Sequence, residues 1–152
     1  MVSYHNSLGV TLHEMKRYEE ALEETQKAID LEPNNALYHD SLGVTLHEMK
    51  RYEEALEEKQ KAVDLEPDNA EYHNSLGVTL HEMKRYEEAF QETQKAIDLE
   101  PDNARYHNRL GIILHRMKRY EEALQEKQKA VDLEPDNEEY KKDLDVTLRA
   151  MK

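Results

Sequence analysis

Cysteine is absent from the chain, which excludes disulfides, thiolate nucleophiles and cysteine-ligated zinc together. Tryptophan is absent as well, and phenylalanine occurs once. Tyrosine must therefore supply nearly all the aromatic bulk of any core. Only four glycines and four prolines interrupt the 152 residues, too few for a loop-rich fold. Cations are the minority: 21 Lys+Arg against 34 Asp+Glu leave a net charge of −13. That balance excludes nucleic acid as an expected partner, because phosphate contacts need clustered Lys and Arg. No apolar run approaches the roughly 20 residues that cross a bilayer, so no membrane partner is expected. The opening MVSYHNS lacks the charged-then-apolar order of a signal peptide. A soluble, cytoplasmic chain is the expectation.

What is present is repetition. The stretch YHNSLGVTLHEMKRYEEALEE begins at Tyr4 and returns nearly unchanged at Tyr38, Tyr72 and Tyr106, every 34 residues, with a shorter version from Tyr140. Four units follow, 2–35, 36–69, 70–103 and 104–137, and a tail, 138–152. A period of this size means stacked supersecondary units rather than a globule. Within the second unit Tyr38, Leu42, Leu46 and Met49 recur at helical spacing, and Tyr52, Ala55, Leu56, Ala62 and Val63 form a second such stripe. The connector Met49–Tyr52 is too short for anything but antiparallel neighbours. Glu53 and Glu54 suit the positive start of the second helix, which must stop before Pro67. Asp68 or Asn69 can cap the next first helix, and Ser3 can cap the first of all. The fold class predicted is all-α, each unit a helix–turn–helix.

The 34-residue unit resembles the tetratricopeptide repeat over nearly the whole chain. Its pattern of Trp-x2-Leu-Gly-x2-Tyr, then Ala-x3-Phe, then Pro falls in the second unit on His39, Leu42, Gly43, Leu46, Ala55, Lys59 and Pro67. Leu-Gly, alanine and proline are kept in all four units, while His replaces Trp and Leu replaces Tyr. The Phe position holds Thr25, Lys59, Thr93 and Lys127. The resemblance implies a right-handed superhelical solenoid whose first helices line a concave groove for a peptide or protein segment. Lys59 and Lys127 are expected to lay their stems along the groove with the ammonium outward. Tyr4, Tyr38, Tyr72, Tyr106 and Tyr140 are expected to replace part of the lost aromatic area. The tail, with Asp145 in the glycine position, reads as a solvating cap.

Catalysis is not expected. All eight histidines fall in two positions of the repeat: His5, His39, His73 and His107 in one, and His13, His47, His81 and His115 in the other. Catalytic groups must converge on one point, and these are strung along the stack. Nor is a metal or cofactor expected. His39 and His47 lie eight apart on one helix, about 80° from each other, not in the i, i+4 pairing that chelates.

The groove residues implied are Asn6, Val10, His13; Asp40, Val44, His47; Asn74, Val78, His81; and Asn108, Ile112, His115. Asn side chains can bond a ligand backbone and Val gives apolar contact. Histidine near pKa 6.5 is expected to make the groove cationic in mild acid and tighten an acidic ligand. Net charge by unit runs −4, −5, −5 and +1, with 0 for the tail. The fourth unit differs through Arg105, Arg109 and Arg116, which helical offsets keep within about 40° of one another. They are a candidate site for a carboxylate or acidic segment. Some family members hold a chaperone's C-terminal carboxylate with a five-residue clamp, and Arg105 and Arg109 resemble its last two basic positions. Asp40, Val44 and Ser75 depart from the rest of it. The reading favoured is a protein–protein interaction scaffold. A self-associating structural element stacking end to end is the alternative. A designed, consensus-like scaffold is another, since the first and third units differ at five of 34 positions.

Overall fold

The structure is a computed structural model and describes residues 2–152. Among these residues are nine helices in sequence: α1 (Val2–Glu14), α2 (Tyr18–Leu31), α3 (Ala36–Glu48), α4 (Tyr52–Leu65), α5 (Ala70–Glu82), α6 (Tyr86–Leu99), α7 (Ala104–Arg116), α8 (Tyr120–Leu133) and α9 (Glu138–Ala150). Each unit is one helical hairpin, and α9 is a first helix without a second. Packing is strictly local along the stack. Each helix touches the next in sequence, and α1, α3 and α7 also touch α3, α5 and α9 respectively. The chain is an all-helical solenoid.

Helix ends follow from a few residues. Asn69 is extended at φ −94° and its side chain accepts from the backbone N–H groups of Glu71 and Tyr72. Asn35, Asn103 and Asn137 cap α3, α7 and α9 in the same way. Ser3 lies inside α1 rather than capping it. Each second helix ends at the leucine directly before Glu-Pro, with the glutamate N–H still bonded four residues back, as in Glu66 to the Ala62 carbonyl.

The turn inside each unit is sharper. Arg51 N–H bonds the Leu46 carbonyl at 2.9 Å and Lys50 N–H the His47 carbonyl at 2.9 Å, the paired bonds of a Schellman motif. The motif puts Lys50 at φ 61°, and Lys16, Lys84 and Lys118 sit likewise at 59°, 61° and 63°. A left-handed residue with a side chain costs roughly 1–2 kcal/mol. Lys50→Gly should therefore raise unfolding free energy by about 0.5–1 kcal/mol once glycine's extra chain entropy is subtracted. Urea denaturation measures it, and a loss of stability would contradict the motif.

The core lies between helices at every junction. Ala21, Ala55, Ala89 and Ala123 are fully buried, as are Ala28, Ala62, Ala96 and Ala130, so second helices approach their neighbours closely. At Gly43 an added Cβ would come 2.6 Å from Lys59 Cγ and 3.2 Å from the Ala55 carbonyl, which is why alanine is not tolerated there without displacement. Tyr38, Tyr72, Tyr106 and Tyr140 are buried against the preceding second helix, as expected. Tyr4 is 61% exposed, with no second helix packed against it among the described residues.

The two lysines differ from expectation. Lys59 and Lys127 are each only 2% exposed. Their ammonium groups turn inward: Lys59 Nζ donates to the Ser75 carbonyl at 3.0 Å, and Lys127 Nζ to the Asp143 carbonyl at 2.8 Å and Thr147 Oγ1 at 2.7 Å. The space left by the absent aromatic is long enough for the stem, and the next first helix offers acceptors at its end. Burial lowers Lys59 to about 8.

Candidate interaction surface

The first helices α1, α3, α5, α7 and α9 lie side by side and present one common wall. The two histidine positions play different parts in it. His39 Nε2–H donates to the Pro33 carbonyl at 2.6 Å, and Nδ1 pairs with Glu58 Oε2 at 2.7 Å. His73 and His107 repeat this with Pro67 and Glu92, and with Pro101 and Glu126. These buried rings pin a first helix to its own second helix and to the turn before it.

The wall histidines link successive units. Nδ1 of His13, His47 and His115 shares a hydrogen bond with Oγ1 of Thr45, Thr79 and Thr147, at 3.1, 2.9 and 2.9 Å. Each ring also meets the tyrosine that opens the second helix, His47 to Tyr52 at 5.1 Å between centroids. His81 breaks the series. Its expected partner position holds Ile113, which has no hydroxyl, and both its ring nitrogens lack a hydrogen bond. Burial pushes His47, His81 and His115 below the usual histidine range. The cationic switch expected in mild acid is thereby displaced to lower pH for these three.

The asparagine positions are more enclosed than a solvated face. Asn6, Asn74 and Asn108 are buried, and Asp40 is half-buried. Oδ1 of each of the four has no hydrogen-bond partner. Asn108 Nδ2 is used by Asp143 Oδ2 at 2.8 Å. Burial raises the Asp40 carboxyl above its usual range, with Ser75 and Lys59 opposing the shift. Of the apolar wall positions, Val44, Val78 and Ile112 are half-buried while Val10 is exposed. A small cavity of about 130 Å³ between α1 and α3 is lined by Val10, His13, Asp40 and Val44 among others.

The three arginines are not equivalent. Arg105 is engaged: its guanidinium is paired with Glu71, whose carboxylate also accepts from Tyr106 OH at 2.9 Å. Arg109 is half-buried and, among the described residues, has neither an ion pair nor a side-chain hydrogen bond. Burial disfavours its charge, with Glu82, Asp143 and Glu139 as the more distant compensation. Arg116 is exposed, and its charge is felt at His81 beside that of Arg109.

A family model described as TPR repeat matches residues 9–50 and 45–84, and one described as tetratricopeptide repeat matches residues 68–136. The chain is a tetratricopeptide repeat protein. Such proteins are generally non-enzymatic interaction scaffolds. No curated protein sequence matches the chain. Among solved structures, Pseudomonas aeruginosa PilF is 27% identical, covers 99% of this chain and 68% of its own, and superposes with a TM-score of 0.91. Residues 41 to the end of MamA from Desulfovibrio magneticus RS-1 are 26% identical, over 89% of this chain and 76% of that one, at TM-score 0.82. YrrB, a tetratricopeptide protein with an unusual peptide-binding site, shares the fold at 20% identity and TM-score 0.78, over 97% of this chain and 76% of its own.

Two features of this tetratricopeptide surface escaped the sequence reading. One is the histidine–threonine link between units, whose signal was the fixed spacing from His13 to Thr45. The other is a pair of furrows between successive second helices, lined by none of the residues read as the groove. No helix among the described residues is long and apolar enough to cross a membrane.

Proposed function

We propose that the wall formed by the first helices receives a protein segment ending in, or rich in, carboxylates. The observation that carries this is Arg109, a half-buried guanidinium with no ionic partner among the described residues of a chain of net charge −13. Leaving such a donor set unpaired is costly, and a bidentate carboxylate would satisfy it. The Oδ1 atoms of Asn6, Asp40, Asn74 and Asn108, one per unit, are unpartnered but closed to solvent, so they belong to the wall's interior rather than to its contacts with a ligand. Val44, Val78 and Ile112 supply apolar contact. Asp40 repels an anion at its own end of the wall, so the carboxylate is placed at the fourth unit.

The test is a fluorescent peptide with acidic side chains, compared with free and amidated C-termini. The free acid should bind about tenfold tighter, as expected for one charged hydrogen-bonded contact. Arg109→Glu should abolish that difference, whereas Arg105→Glu should change it little because Glu71 already occupies Arg105. Equal affinities of acid and amide, or an effect of Arg105 alone, would overturn the assignment.

A second reading rests on the ends of the stack. α9 leaves Val146, Leu148 and Met151 exposed, and α1 leaves Tyr4 exposed. Leu148 stands where Leu46 and Leu80 are buried by a second helix. End-to-end association would cover these side chains. Sedimentation at rising concentration decides it: a concentration-independent monomer would exclude self-association.

A further inference from the structure

The furrows between second helices are unlike the wall. Between α2 and α4 lies a cavity of about 630 Å³ with Leu22, Leu42 and Leu46 in its lining. Between α4 and α6 lies one of about 430 Å³ with Leu56, Leu76 and Leu80 in the matching places. Both volumes are in the range of sites that enclose large organic groups. Leu46 and Leu80 occupy the family position of a tyrosine, so each furrow is where an aromatic ring would ordinarily lie. The third junction differs. There Phe90 replaces Leu22 and Leu56, and the Arg119 guanidinium lies over its ring at 5.1 Å.

Charge changes along the same series. Five carboxylates and two cations line the first furrow, four and two the second. Most of these carboxylates are spent on neighbours: Glu54 on Arg51, Glu88 on Arg85, Glu58 on Lys61 and His39. Glu23 and Glu57, one on each side of the first furrow, carry no hydrogen bond or ion pair among the described residues. The equivalent residues in the third and fourth units are Gln91 and Gln125. Open space and unpaired negative charge therefore coincide in the first two furrows, whereas at the third Phe90 and Arg119 stand in the matching places and both glutamates are glutamines.

We infer that the α2/α4 and α4/α6 furrows are a second docking surface, for a basic amphipathic helix that inserts one large apolar side chain into each. The two furrows flank α4, a helix being about 10–12 Å across with its side chains and rising 1.5 Å per residue. Side chains seven residues apart on one face span about 10 Å, the furrow spacing. Lysines flanking them meet Glu23 and Glu57. Arg109 is not among the furrow-lining residues, and the furrows' unpaired carboxylates call for a partner of opposite charge to the one proposed for the first-helix wall.

The probe is a labelled 18-residue alanine–lysine helix with phenylalanine at two positions seven apart, beside the same peptide with alanine at both. The phenylalanine peptide should bind at least tenfold tighter to the whole chain. Leu22→Phe with Leu56→Phe should erase that advantage, and Glu23→Gln with Glu57→Gln should weaken binding and flatten its salt dependence. All four substitutions copy residues already present at these positions in later units, so the fold should be retained, as circular dichroism would verify. Amide shifts should fall on α2, α4 and α6. Equal binding of the two peptides, insensitivity to the leucine substitutions, or shifts confined to α1, α3, α5 and α7 would overturn the inference. Undetectable binding would do the same.

Discussion

Tyr106→Ala is expected to lower unfolding free energy by about 3–5 kcal/mol, while Tyr4→Ala, the same repeat position, should cost less than about 1 kcal/mol. Tyr106 is 1% exposed and sits among Ala96, Ile97, Leu110 and Leu114. Removing it loses the transfer energy of a ring and leaves a void that the two helices cannot close. Its hydroxyl also holds Glu71, which anchors Arg105. Tyr4 has no second helix packed against it among the described residues and keeps 61% of its surface in water, so there is little burial to lose. Urea titrations of both variants test the contrast. Similar costs would mean that the first unit's open side is covered in solution, the result that end-to-end association predicts.

The double change Lys59→Met with Asp40→Asn is expected to stabilise the chain by about 1–3 kcal/mol at neutral pH, because a buried ionic arrangement is often worth less than its apolar replacement. Lys59 is held at about 8 against an ordinary 10.5, chiefly by burial, and Asp40 is raised by the same cause. Methionine fills the stem's volume, the Ser75 carbonyl keeps its partner inside α5, and asparagine is what Asn6, Asn74 and Asn108 already supply at that position. A pH signature accompanies this. Below pH 8 folded and unfolded chains both hold the Lys59 proton, so its cost is constant. Between 8 and 10.5 the unfolded chain binds more protons than the folded one, so stability rises with pH. Tyr72, raised to about 12 by burial, opposes this above its ordinary value of 10, which leaves 8 to 10 as the window. Stability of the parent chain should climb there more steeply than that of the double variant, which keeps only Lys127, also lowered by burial. An equal climb in both would assign it to groups other than Lys59.

The wall histidines act with the same sign at the acid end of the pH scale. His47, His81 and His115 lie below the ordinary 6.5 because of burial. As pH falls through 6.5 the unfolded chain takes up protons first and stability declines. The wall is thus built to stay neutral near pH 7 rather than to switch there. His81 matters most to this account, since Ile113 denies it the threonine that its counterparts use.

Much of the architecture was legible from residues alone, because each unit's rules are local. Helix lengths follow from the spacing of Tyr38, Leu42 and Leu46, the stops from Pro67, and the starts from Asn69, all within a few bonds of the residue that causes them. Periodicity then made one unit's reading serve for four. The candidate wall was legible as positions, not as states. That Arg105 is engaged and Arg109 is not depends on Glu71, a whole unit away in sequence. Lys59 was read as snorkelling because nothing in its own helix tells where the carbonyl of Ser75 will lie. The furrows were invisible for the same reason, being spaces between α2, α4 and α6 rather than properties of any one of them.

Sequence by itself determined the helical hairpin, its 34-residue repetition and the charge reversal at the fourth unit, since hydrogen bonding within a helix and the chemistry of its ends are settled by near neighbours. Tertiary structure decided which groups are left over. Whether a tyrosine is core or surface, a lysine buried or free, an arginine paired or waiting depends on what the adjacent unit brings against it. Those outcomes are set by distances across a junction, to which chain order gives no metric.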